Sequence, residues 1–73
     1  MKTDITVALL VSTVIAARDL VARARAHGRS ADLGIVVTHR RGRFAVSTGA
    51  SSVAGLTEAD SVRAVEQIFW ARR

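Results

Sequence analysis

Side chains that could perform nucleophilic or acid–base chemistry are scattered along this 73-residue chain rather than grouped. The acidic residues Glu58, Asp60 and Glu66 each have a capping or surface explanation, and neither Cys nor Tyr occurs. No serine lies in a G-x-S-x-G motif, although five are candidate nucleophiles by residue type alone: Ser30, Ser47, Ser51, Ser52 and Ser61. A chain this short also has little material to enclose a ligand pocket of several hundred Å³. The sequence therefore predicts a protein that is not an enzyme, with no catalytic residues.

Metal and cofactor sites are not indicated either. His27 and His39 belong to no H-x-x-x-H or H-E-x-x-H motif, and a cysteine-ligated zinc site is excluded because the chain has no cysteine. The glycine-containing segment Gly49–Gly55 lacks the pattern of a phosphate-binding loop. We expect no metal site, no cofactor, and a plain connecting loop at 49–55.

The positive charge is concentrated in the middle of the chain. Residues 18–43 hold seven arginines against two aspartates, whereas the rest of the sequence balances four cations with four acids. Arginine suits planar recognition of phosphate and carboxylate, so this region is a candidate contact surface for an anionic partner. A solvated surface with an arginine content set by genome composition explains the same pattern. The predicted contact residues are Arg25, Arg29, Arg40, Arg41 and Arg43.

The longest apolar stretch, Asp4 to His27, would organise the rest of the fold. Thr3 is a possible helix N-cap, and Gly28 follows a cationic last turn, which is the usual end of a helix. The stretch is rich in β-branched residues, so a strand over residues 5–11 followed by a helix from about Thr13 is an alternative. We predict a single long helix, because no Gly, Pro or Asn separates the two halves.

This helix would be apolar nearly all round, which indicates burial on more than one side. Its apolar run, residues 5–17, is shorter than the roughly 20 residues of a membrane-spanning helix. We therefore expect one side to pack on the rest of the chain and the other on a second copy or a partner. The predicted dimer or partner interface comprises Leu9, Ala16 and Leu20 on the far side of the helix, and Trp70 near the chain's end.

Two short runs rich in β-branched and aromatic residues predict a β-hairpin. They are Gly34–His39 and Arg43–Thr48, and a tight link ending in Gly42 joins them. The alternation places Ile35 and Val37 on one face, and the register can place Phe44 and Val46 beside them. We expect Gly42 to supply a positive φ in the turn.

A second helix is predicted to begin after Thr57, where Asp60 completes a capping-box pattern. Its apolar stripe is Val62, Val65 and Phe69. With Arg29–Leu33 as a connector, the predicted fold is a single α+β domain of the order helix, hairpin, helix (α-β-β-α), dimeric through the first helix.

The most favoured function is a small non-enzymatic interaction module. It would be a regulator or inhibitor that docks on a larger assembly, made of protein alone or of protein and nucleic acid. The alternative is a basic nucleic-acid-binding protein that contacts phosphates through the hairpin tip. The chain is similar in general style, without any shared motif, to small phage- and plasmid-encoded proteins that modify host machinery. We expect a cytoplasmic homodimer with no membrane contact, in keeping with the absence of cysteine.

Overall fold

The structure is a computed structural model that describes residues 16–72, and these form two helices and one antiparallel sheet. In chain order the elements are α1 (helical residues 16–27), β1 (Arg29–Asp32), β2 (Ile35–Arg40), β3 (Arg43–Ser47), β4 (Ser52–Leu56) and α2 (Glu58–Ala71). The spatial order of the strands is the same as their order in the chain. The predicted α+β class is confirmed, with twice the expected number of strands.

The central pair, β2 and β3, is the predicted hairpin. Its register joins Val37 to Val46 and His39 to Phe44. Because side chains alternate along a strand, this register puts Ile35, Val37, Phe44 and Val46 on one face, and all four are buried. The predicted facing of the hairpin is thus confirmed.

The turn between β2 and β3 is a two-residue link, Arg41-Gly42. Both residues have positive φ, +54° and +76°, which is the combination that a tight type I′ hairpin turn requires. Gly42 takes the expected conformation. Arg41 adopts it as well, although only a small fraction of non-glycine residues do so.

The segment predicted as a connector after Gly28 instead forms β1, so that prediction was wrong. β1 pairs with β2 from Arg29↔Thr38 to Asp32↔Ile35 and returns through a second two-residue turn, Leu33-Gly34, with φ of +52° and +79°. The sequence RSAD has no β-branched or aromatic residue, so its intrinsic preference for strand is weak. Pairing with the exposed edge of β2 determines its conformation.

The prediction of a loop at Gly49–Gly55 was also wrong, because residues 52–55 of this segment belong to β4. The register changes from Phe44↔Leu56 to Val46↔Val53, so one residue of β3 faces two of β4. Gly55, with φ +72°, lies in this β-bulge. β1 and β4 therefore cover, within one chain, the two hairpin edges that the sequence prediction had left open.

Both helices pack on the same face of the sheet. The core cluster joins the four inward-facing hairpin residues to α1 and α2; the helix residues in it are Ala17, Leu20, Val21, Ala24, Val65 and Phe69. Leu20, which was predicted to lie on an intermolecular face, is only 2% exposed and packs inside its own domain. The helix phase was misjudged because the sequence did not show which arc of an almost wholly apolar helix meets the sheet.

The predicted first helix is confirmed over residues 16–27 and ends at Gly28, whose amide donates to the carbonyl of Ala24. The rest of that prediction, and its strand alternative at residues 5–11, lies outside the described residues. Within residues 16–72, no helix is both long and apolar enough to cross a membrane.

The second helix begins as predicted. The Thr57 hydroxyl accepts a hydrogen bond from the amide of Asp60 at 3.1 Å, which satisfies one free N–H of the first turn. Val65 and Phe69 of the predicted stripe are buried, and Val62 is partly buried. At the other end, the Arg72 guanidinium donates to the carbonyl of Leu33, so α2 is tied to the β1–β2 turn.

Candidate functional site

The sheet has an outer face, the one turned away from both helices, and none of the residues described covers it. Strand alternation and the observed register place on this face ten side chains: Arg29, Ala31, Val36, Thr38, Arg40, Arg43, Ala45, Ser47, Ser52 and Ala54. Three are arginines, none is acidic or aromatic, and most of the others are small. The result is a flat surface whose charge is entirely positive.

The arginines of the outer face lie together at one end of the sheet. Arg40 and Arg43 are directly opposite across the β2–β3 pair. Arg29 is opposite Thr38 and therefore diagonal to Arg40. Directly opposed residues have Cβ atoms about 5 Å apart, and diagonal neighbours are about 7–8 Å apart. With Arg41 in the adjoining turn, these four residues form what we call the arginine cluster.

The arginine cluster carries uncompensated charge. Among the described residues, the two ion pairs are Arg23–Asp19 and Arg25–Glu58, and no member of the cluster takes part in either. Like charges directly opposite on a sheet destabilise it, as at Arg40↔Arg43. A bound anion would relieve this repulsion.

Arg25 does not belong to the cluster, although the sequence prediction grouped it there. It lies on α1, in the helix layer on the other side of the sheet, and its Nη1 donates to both carboxylate oxygens of Glu58 at 3.0 and 3.2 Å. This contact joins the end of α1 to the start of α2. The other four predicted arginines are exposed, and the structure brings them together.

The sequence analysis located the tip arginines, and its arrangement of helix, hairpin and helix leaves the second face of the hairpin uncovered, but it did not relate that face to the arginines. By the same alternation that turns Ile35 and Val37 toward the helices, the second face carries the neutral side chains Val36, Thr38, Ala45 and Ser47. Arg29 could be placed beside Arg40 only once β1 was known as a strand, and the sequence RSAD gave no indication of that.

The two histidines lie in different parts of the domain, His27 on α1 and His39 on β2. The ring of His39 lies on the helix-facing side against Phe44, with ring centroids 4.5 Å apart, while His27 is exposed at the end of α1. Within residues 16–72, no three His, Cys, Asp or Glu side chains gather in an arrangement that could hold a metal ion.

A second surface feature is an apolar groove of about 240 Å³ between α2 and the β3–β4 side of the sheet. Val46, Val53, Ala64, Ile68 and Ala71 supply its apolar lining, and Thr48, Ser51 and Gln67 its polar lining. Val53 is 52% exposed on β4, which is an edge strand of the described sheet. The groove lies on the helix side of the sheet, away from the arginine cluster.

The three predicted intermolecular residues that lie in the described part of the chain do not form one surface. Leu9 lies outside the described residues, Leu20 is in the core, and Ala16 packs partly against that core. Trp70 is 49% exposed on α2. The exposed side of α1 in its described part is mainly polar, formed by Arg18, Asp19, Ala22, Arg23, Arg25, Ala26 and His27.

Comparison with known proteins finds no matching family model, no similar curated protein and no similar solved structure.

Proposed function

We propose that this protein is a small non-enzymatic interaction module that docks on a nucleoprotein assembly by contacting nucleic-acid phosphates with its arginine cluster. The observation that carries the proposal is a set of four arginines, Arg29, Arg40, Arg41 and Arg43, that form no ion pair within residues 16–72 and lie at the end of an outer face without an acidic side chain. In this role it would act as a regulator or inhibitor of that assembly.

The chemistry of the cluster suits phosphate. Arginine presents several N–H donors in a planar fork and stays charged at every physiological pH. Small neighbours such as Thr38 and Ala45 leave the guanidinium groups unobstructed. Double-stranded DNA carries one phosphate charge per about 1.7 Å of helix axis, and its binding to cationic side chains gains free energy from released counterions.

The proposal is tested by the triple variant Arg40→Ala, Arg41→Ala, Arg43→Ala. We expect it to fold like the parent protein, because all three side chains are exposed. Its affinity for nucleic acid, followed by fluorescence anisotropy at low salt, should fall by at least about 100-fold if each lost arginine removes one phosphate contact.

A matched control is Arg63→Ala, which removes an exposed positive charge from α2, on the other side of the domain. It should change the affinity far less than any single change in the cluster. Unaltered binding by the triple variant would refute the proposal.

A second candidate function is docking on a protein without nucleic acid, and the apolar groove favours it. The groove adjoins β4, an edge strand of the described sheet. Trp70, which is half exposed, precedes the groove residue Ala71 in α2. Aromatic side chains such as Trp are enriched at interface hot spots. Pull-down from lysate separates the candidates: a complex that survives nuclease and raised salt supports the groove, and one lost under both conditions supports the arginine cluster.

We also propose a homodimer in the cytoplasm. A 73-residue domain without disulfides has a thin stability margin, which association would widen. Because the described part of α1 exposes mainly polar residues, the proposed dimer contact rests on the apolar sequence before Ala16, which includes Leu9.

A further inference from the structure

We infer that the arginine cluster recognises double-stranded nucleic acid, by contacting the two backbones on either side of one groove, rather than a single strand. This inference rests on the proposed function and names the class of nucleic acid that the surface fits. It is carried by the distribution of the cluster over three strands and by the absence of aromatic residues from the outer face.

The first argument is spacing. Arg29 is on β1, Arg40 on β2 and Arg43 on β3, so the cluster spans two strand-to-strand steps, or about 10 Å. This width lies between those of the minor groove and the major groove of B-form DNA, about 6 and about 12 Å. The long side chains at the two ends of the cluster, Arg29 and Arg43, can therefore reach the two backbones that border a groove. Only a duplex has two such backbones.

The second argument is the position of every aromatic side chain. The chain has two phenylalanines, one tryptophan and no tyrosine. Phe44 and Phe69 are in the core on the helix-facing side, and Trp70 is on α2. Proteins that hold single strands stack bases on aromatic side chains, at about 1–3 kcal/mol per base. The outer face has no such platform to offset the entropy lost when a flexible strand is ordered.

The third argument is rigidity. Arg40 and Arg43 are fixed by a hairpin with a two-residue turn, and Arg29 by pairing with Thr38. Side chains that extend from fixed backbone positions are best matched by phosphates that are also held at constant spacing. A duplex, with one charge per about 1.7 Å of axis, offers both that order and twice the linear charge density of one strand.

The test is a comparison of labelled duplexes and single strands of equal length, as DNA and as RNA, titrated between about 50 and about 200 mM salt. We expect at least one duplex to bind about tenfold more tightly than its separate strands at the lower salt. With four phosphate contacts, the logarithm of affinity for duplex DNA should fall against the logarithm of salt concentration with a slope of about −3.6.

The variant Arg29→Ala tests the two-backbone geometry. We expect a duplex DNA slope about 0.9 less steep and a smaller preference for duplex, by a similar factor for unrelated sequences. Arg29→Lys should retain the slope because a point charge suffices at a phosphate, and Arg63→Ala should leave slope and preference unchanged.

Equal or tighter binding of single strands would overturn the inference and leave the proposed function standing. So would an Arg29→Ala variant that keeps the full duplex preference. If neither duplex nor single strand binds at low salt, the proposed function itself fails and this inference with it.

Discussion

At the scale of single residues, Arg25 and Arg40 show that arginines of the same exposure can have different roles. Arg25 is paired with Glu58, whereas Arg40 is opposed by another arginine. Ion pairs between well-exposed side chains contribute at most about 1 kcal/mol to folding. The contact between Arg25 and Glu58 should thus be a weak tether between the two helices, since the two side chains are 60% and 41% exposed.

We predict that Arg25→Ala lowers the free energy of unfolding by no more than about 1 kcal/mol. Its nucleic-acid affinity should change no more than that of Arg63→Ala, because the residue lies on the helix side of the sheet. Urea denaturation and anisotropy titration measure the two quantities. A loss of affinity equal to that of Arg40→Ala would show that Arg25 belongs to the binding surface after all.

At the scale of elements, the sequence predicted what local pattern controls. The hairpin, its facing, the Thr57 cap and the helix end at Gly28 follow from alternation, capping chemistry and glycine, and all are found in the structure. β1 and β4 could not be predicted in the same way. Most of their residues are small or polar and have a weak preference for strand, and their conformation results from pairing with β2 and β3.

In the candidate site, too, some features follow from the local sequence and others only from the packing of the elements. The tip arginines were predictable because they flank a recognisable turn. The inclusion of Arg29 and the exclusion of Arg25 depend on the position of β1 and on which face the helices cover. Both are properties of tertiary packing.

The β2–β3 turn holds the arginine cluster in place, and its conformation can be tested separately from its charge. We predict that Gly42→Ala lowers the free energy of unfolding by about 1–2 kcal/mol, because alanine must adopt the left-handed conformation that Gly42 has at φ +76°. A Cβ at this position would meet no atom within 4 Å, so the loss would be conformational rather than steric.

Gly49→Ala is the control for the turn. The Cβ at Gly49 also meets nothing within 4 Å, but this glycine does not have a positive φ. It should tolerate alanine, with a change within about 0.5 kcal/mol. Chemical denaturation of both variants checks the prediction. Equal stability of the two would argue against the type I′ geometry of the Arg41-Gly42 turn.

At the scale of the whole molecule, the domain has two layers that separate the core from the proposed recognition surface. The helices and the inner side of the sheet supply the core, and the outer side carries the arginine cluster. This separation makes it feasible to remove charges without unfolding the chain. The apolar groove beside β4 belongs to the helix layer and is thus separate from the arginine cluster.

The remaining prediction concerns association of two copies. The exposed side of the described part of α1 is mainly polar, so the predicted dimer contact rests on the apolar sequence before Ala16. We predict that Leu9→Glu converts the dimer to a monomer or unfolds the chain, because a charge buried in an apolar interface has no partner there. Ala22→Glu, at an exposed position of α1, should leave the dimer intact.

Sedimentation equilibrium gives the mass, and far-ultraviolet circular dichroism separates loss of association from loss of structure. A Leu9→Glu protein that keeps the dimer mass would eliminate the first helix as the interface. A dimer that Trp70→Ala dissociates, while Leu9→Glu does not, would instead move the contact to α2, where Trp70 is half exposed. The arginine cluster would still face outward in that case, because it lies on the opposite side of the sheet from both helices.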